Sequence, residues 1–267
     1  MGPVRLYTRY IGVSIRSQMQ YPASFIMGAA GQVMVTGTEF LAVWALLARF
    51  GAIRGWRLEE IALFYGIIHT AFALAEGLAR GFDTFSGLVR TGRFDQILLR
   101  PRSAAFQVVC REWLLERIGR LAVSVPILVW AASALDVRWT AARLALLALT
   151  LIGGMCLFVG LFVLQATLSF WTIETLEVAN IVTDGGRETG QYPLSVYRSW
   201  FRRFFTFVVP LAAVSYYPAL AILGRPDAAT HAPLWFQYAA PLIGAAFLPA
   251  SLVVWRYGVR HYCSTGS

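Results

Sequence analysis

The sequence predicts an all-α, polytopic membrane protein with six transmembrane helices, an N-terminal interfacial helix and a short helix between the second and third spans. Three observations predict it. Of 267 residues, 58% are hydrophobic and only 14% are charged, against roughly 45–50% and about 25% in soluble chains. The apolar residues gather into blocks of about the 20 residues that one bilayer crossing needs. All of the 23 basic residues are arginine, and they are spread unevenly over the connections between those blocks. The whole chain, 1–267, reads as one transmembrane domain.

The N-terminal stretch places Leu6, Tyr10 and Val13 at i, i+4, i+7, with Arg5, Arg9 and Arg16 on an adjacent face. That is the pattern of a helix lying in the headgroup layer. The apolar run after it is too long for the h-region of a cleavable signal, so the segment is expected to be retained. Spans are expected at about 22–48, 59–79, 118–135, 141–171, 204–223 and 239–257. Pro126 interrupts the third, Pro210 and Pro218 the fifth, and Pro241 and Pro249 the sixth; spans tolerate proline. Arg111, Glu112, Glu116, Arg117 and Arg120 are expected to prolong the third helix beyond the bilayer, with Glu116 and Arg120 as an i,i+4 pair. Gly153, Gly154 and Gly160 in the fourth span mark close helix approach, at a subunit contact or in packing within the chain.

With six spans both termini share a side. Seventeen arginines fall on that side, eight of them between Arg80 and Arg120, and six on the other. The excess places both termini in the cytoplasm. It also accounts for the net charge of +9, so no nucleic-acid partner is expected. Trp56, Trp139 and Trp235 fall in outer connections, and Trp171, Trp200 and Trp255 at inner ends, where amphipathic rings settle.

Two further stretches assigned to the cytoplasm are amphipathic. In 81–101 (GFDTFSGLVRTGRFDQILLRP), Phe94, Ile97 and Leu98 take i, i+3, i+4 positions among Arg93, Asp95, Gln96 and Arg100. Gly92 permits a sharp approach to this helix and Pro101 ends it. The stretch is either a plain interfacial connector or a helix offered to a cytoplasmic partner, with apolar anchors and an arginine rim. In 190–207, Leu194, Tyr197, Phe201 and Phe204 share one face and Arg198, Arg202 and Arg203 another, which reads as a surface helix feeding the fifth span. Before it, 180–189 with Asp184-Gly185-Gly186 reads as a flexible cytoplasmic loop.

Ionisable groups inside spans are costly and mark function. Glu39 lies in the first span near Gln32, Thr36 and Thr38; His69 and Glu76 lie seven residues apart in the second. They are candidates for a polar substrate pathway. For Glu76 the competing reading is a pair with Arg80 at the cytoplasmic surface.

Several chemistries are excluded or disfavoured. A chain without lysine has no P-loop of the GxxxxGK[ST] type and no Schiff-base lysine. Cys110, Cys156 and Cys263, and His69, His231 and His261, lack metal-ligand spacing.

The run Thr91-Gly92-Arg93-Phe94-Asp95-Gln96-Ile97-Leu98-Leu99-Arg100-Pro101 is similar to the TGxLDxLLxRP stretch that follows the second span in integral-membrane permeases of ABC (ATP-binding cassette) type-2 transporters. Tyr192-Pro193-Leu194 with 207–223 (FVVPLAAVSYYPALAIL) resembles the same family's pattern around its fifth span. The layout resembles the six-span bacterial class over nearly the whole chain. Phe94 stands where an aliphatic residue is usual, a departure expected to change little. The resemblance implies a permease subunit of an ATP-driven exporter in the bacterial plasma membrane. It would pair with a second permease, identical or paralogous, and rest on separate cytoplasmic ABC ATPase subunits. This chain would bind no cofactor and be no enzyme; ATP and Mg would belong to the ATPase. Arg90, Gly92, Arg93, Phe94, Asp95, Ile97, Leu98, Arg100 and Pro101 would form the coupling helix. The Pro- and aromatic-rich connection 224–241 would close the exit. An intramembrane enzyme or a secondary transporter built on Glu39, His69 and Glu76 remains the alternative, although no internal repeat is visible.

Overall fold

In the computed structural model, which describes residues 3–172, 176–227 and 230–263, the chain is helical throughout, with no β-strand among the described residues. Its helices are α1 (Pro3–Gln18), α2 (Pro22–Phe50), α3 (Leu58–Asp83), α4 (Ser86–Arg90), α5 (Arg93–Leu98), α6 (Ala104–Val109), α7 (Ile118–Ala134), α8 (Ala141–Leu168), α9 (Leu176–Gly190), α10 (Ser199–Arg203), α11 (Tyr216–Leu223), α12 (Leu234–Ala239) and α13 (Pro241–Arg260). Among the described residues α2, α3, α8 and α13 are long and apolar enough to cross a bilayer. α7 has 17 residues, about 25 Å of helix.

α3 forms the centre and is buried along almost its whole length, between α7 and α8. α8 and α13 run side by side in the same direction. Glycine makes their approach possible: a Cβ on Gly153 would run into the carbonyl of Pro241, and one on Gly160 into Phe247 and Ser251. Gly154 admits Ala71 of α3 in the same way. Among lipid tails such close packing, rather than water exclusion, holds helices together. The glycines of the fourth span therefore serve packing within the chain.

The fifth crossing departs from expectation. Residues 204–223 form no single span: Ser199–Val208 and Leu211–Leu223 meet at 75°. Pro210 makes the break, because it has no N–H to donate and its ring crowds the carbonyl four residues back. Pro218 is harmless in the first turn of α11, where its N–H would go unpaired anyway. The loop expected at 180–189 is instead part of α9. That helix runs antiparallel to α3, with Arg187 over the Phe72 ring and Gly190 against Ile68. At this depth a helix satisfies its own backbone, which outweighs the roughly 1 kcal/mol that each glycine costs a helix.

After α9 the chain goes to the side opposite the termini. There Ser195 accepts hydrogen bonds from Trp56 Nε1 at 3.0 Å and, through its carbonyl, from Arg54 Nη1 at 2.9 Å, both in the α2–α3 connection. It then dips back until Leu211 touches the end of α9. α11 returns it to the same far side, where Arg225 pairs with Glu60 at 2.7 Å and covers the Trp56 ring. Residues 190–207 are thus a re-entrant excursion on the far side, not a surface helix on the side of the termini. Arg198, Trp200, Arg202 and Arg203 go with it, and Arg187 leaves the surface altogether. Most arginines still lie on the side of the termini.

Two smaller expectations also change. The third helix has no straight extension: α6 ends at Val109, and a 3-10 turn over Leu115–Arg117 precedes α7. Glu116 approaches Arg117 at 4.0 Å rather than Arg120, because Arg120 is drawn inward to Glu76. In α1, Tyr7 donates to Leu78 O at 3.5 Å and Ser14 to Trp113 O at 2.9 Å. Tyr10 and Val13, expected on its apolar face, are exposed.

Candidate functional site

Two groups of side chains stand out: a handle on the side of the termini and a charged layer at membrane depth. The handle begins where α3 kinks at Ala79 and continues through α4 and α5. Gly92 joins these two at φ +65°, a left-handed conformation that glycine adopts without steric cost. A Cβ on Gly81 would run into the carbonyl of Val108, so α6 rests directly on α3. Gln107 Nε2 donates to the carbonyls of Ile97 and Arg102, both at 3.0 Å, and ties the loop after α5 to α6.

The handle's two faces differ. Phe94 is fully buried; its ring lies 5.0 Å from Phe85, 5.3 Å from Phe170 and 5.0 Å from Tyr262, with Trp255 at 6.2 Å. Phe170 follows α8, while Trp255 and Tyr262 belong to the end of α13. Phe94 and the buried Ile97 are therefore anchors to the chain's own helices, not anchors offered to a partner. The departure from the aliphatic residue matters after all, since the aromatic ring is what reaches both helix ends. Trp255 is likewise buried in this cluster rather than lying at an interface. The outward face carries Arg90, Arg93, Leu98, Arg100 and Pro101, with Leu99 the most prominent at 86% exposed. Asp95 is half-buried between the faces.

The charged layer joins residues from four helices. Arg187 forks onto Glu39, Nη1 donating at 3.0 Å and Nη2 at 3.4 Å, and Nη2 also donates to Glu188 at 2.6 Å. Gln191 donates its amide to Glu188 at 2.7 Å. That fixes the Gln191 oxygen toward His69 Nε2, 3.2 Å away, so Nε2 carries the proton and donates. His69 Nδ1 then faces Glu39 at 4.0 Å without a hydrogen bond. Tyr65 stacks on the His69 ring and donates to Thr36 O at 2.7 Å.

Glu76 lies about two turns further along α3. It meets Arg117 at 3.3 Å, Arg120 at 3.5 Å and Arg80 at 3.6 Å. The pair with Arg80 exists, but Glu76 is buried and does not reach the surface. Phe72 lies between the layers, with the guanidiniums of Arg120 and Arg187 at 5.0 and 5.6 Å from its ring centre. Glu39 and His69 thus belong to one cluster and Glu76 to a second. Sequence reasoning missed Arg187, Glu188, Gln191 and Arg120; Arg187 sits among Asp184, Glu188 and Gln191 in a polar stretch that reads as a surface loop. Cys110, Cys156 and Cys263 are free thiols.

Comparison with known proteins gives one match. A family model described as ABC-2 family transporter protein matches residues 33–266, a stretch that includes the handle and both charged clusters. No curated protein and no solved structure matches the chain.

Proposed function

The chain belongs to the ABC-2 transporter family, and on that premise we propose that it is the permease subunit of a bacterial exporter driven by separate cytoplasmic ATPase subunits. A second permease, identical or paralogous, completes the pathway. The arginine excess on the side of the termini supports a cytoplasmic handle and cytoplasmic termini. ATP is bound with Mg and hydrolysed by the ATPase, whose shape change reaches this chain as a push on α4 and α5.

The observation that carries this reading is the two-faced handle. A contact at Leu98 and Leu99 is transmitted through Phe94 to the ends of α8 and α13, because the ring cluster leaves no slack between them. The charged layer supplies the other requirement. Glu188 is 47% exposed, and the Glu39 side chain 26%. Such groups are too costly to leave against lipid tails, so the flank between α2 and α9 faces a second protein chain or a wet passage. Glu39 and His69 are proposed to line it; Glu76, held by three arginines, braces α3 against α7. Glu39 is fully engaged by Arg187, which argues against a free acid for intramembrane catalysis.

The test is crosslinking in native membranes from Leu98→Cys and Leu99→Cys, together with capture of the chain and its neighbours. The expected product joins this chain to a cytoplasmic ATPase subunit. If both positions crosslink to nothing while the protein is present at normal levels, the handle has no motor and the reading fails.

A further inference from the structure

A cavity of about 730 Å³ lies against α1 on the side of the termini. Arg93, Arg100, Arg102 and Arg111 line it, with Leu6 and Tyr10 of α1 as part of the apolar wall. Among the described residues no acidic side chain takes part in the lining. Among the described residues Arg93 and Arg100 have no ion-pair partner within 4 Å, and Arg111 reaches Glu112 only at 4.0 Å. Burial pushes the Cys110 thiol in this wall upward, so it adds no competing negative charge. Leu98 and Leu99, the tip offered to the ATPase, are not part of the cavity.

A second cavity of about 380 Å³ adjoins it at Phe106, whose side chain lines both. Its walls are Leu78 of α3, Met155 and Val159 of α8 and Leu248 of α13, with Tyr7 of α1 across the mouth. The phenol of Tyr7 is held above its ordinary pKa by burial first and by Cys110 second, so it stays neutral. An apolar slot between spanning helices thus meets a basic chamber at the level of an arginine-bearing interfacial helix. The two halves match the two ends of one kind of molecule.

We infer that this composite groove binds an anionic phospholipid of the inner leaflet, with its acyl chains in the slot and its phosphate among Arg93, Arg100 and Arg111. Basic pockets at this depth attract such headgroups, each arginine adding about 1 kcal/mol, and the slot adds apolar contact that a free phosphate lacks. A bound lipid would join α1, α6, α8 and α13 next to the handle. The inference requires only that the chain lies in a membrane, so its failure would leave the coupling reading untouched.

The test titrates the purified full-length chain in mild detergent with dioleoylphosphatidylglycerol, dioleoylphosphatidylcholine and glycerol 1-phosphate, counting adducts by native mass spectrometry. A saturable phosphatidylglycerol adduct, clearly tighter than the phosphatidylcholine one and not displaced by glycerol 1-phosphate, is expected. Arg93→Gln, Arg100→Gln and Arg111→Gln, all at exposed positions, should each weaken it about fivefold. Met155→Trp should weaken it by filling the slot while leaving every arginine in place, with Leu248→Trp as a second variant from the opposite wall. Equal affinity for the two lipids, an adduct indifferent to the arginine changes, or displacement by glycerol 1-phosphate alone would overturn the inference. It is overturned equally if Arg111→Cys crosslinks to the ATPase while lipid adducts ignore the arginine variants, since the chamber would then belong to that protein.

Discussion

Replacing Phe94 by alanine empties the middle of a cluster of five rings, and replacing Leu99 by alanine removes a side chain that touches little. Large-to-small changes at well-packed aromatic sites cost about 3–5 kcal/mol, so Phe94→Ala should lower the thermal unfolding midpoint measurably in detergent. Leu99→Ala should leave that midpoint unchanged and reduce transport-coupled ATP hydrolysis in the assembled transporter. The opposite pattern would mean that the inward and outward faces have been exchanged. Arg187 and Glu39 pose a second question at the same scale. Removing one partner of a buried pair leaves a charge stranded, at a cost of about 3–5 kcal/mol. Arg187→Met should therefore destabilise the protein strongly, Glu39→Gln should cost less because Glu188 still holds Arg187, and the double variant should recover part of the Arg187→Met loss. Additive losses in a double-mutant cycle would show that the two groups do not act as a pair.

At the scale of the element, the re-entrant excursion makes a prediction that the arginine count alone would reverse. With the native cysteines replaced by serine, Ser195→Cys and Trp200→Cys should react with a membrane-impermeant maleimide from the side opposite Cys263, restored singly. Labelling of all three from one side would restore the surface helix at 190–207. The long apolar helices were legible because composition alone specifies them: α2, α3, α8 and α13 lie within a few residues of the expected bounds. The handle was legible through Gly92 and Pro101, whose backbone restrictions act locally. The break at Pro210 and the helicity of 180–189 were not, since both depend on neighbours far away in sequence. Ile68, Phe72 and Phe205 pack on α9, and no local pattern announces them. Glu39 and His69 were visible as misplaced charges, but their partner Arg187 was hidden by being counted as a surface arginine.

For the molecule as a whole, the outer surface is as informative as the centre. α2 is buried along little of its length and shows Met27, Met34 and Trp44 outward. Apolar exposure of this kind suits lipid, but the partly open Glu39 on the same helix does not. A second permease against this flank would cover both, so Met34→Cys should form an oxidative crosslink between permease subunits. A chain that remains monomeric at every tested position along α2 would place the interface elsewhere. The glycine-lined seam between α8 and α13 has a mechanical corollary. Two rods whose backbones already touch have no room to slide or part, so a stroke delivered at their shared foot must swing them as a single plank. The hinge line then falls where the planking stops, beside the loosely held first span, and the cargo's door should open along that edge.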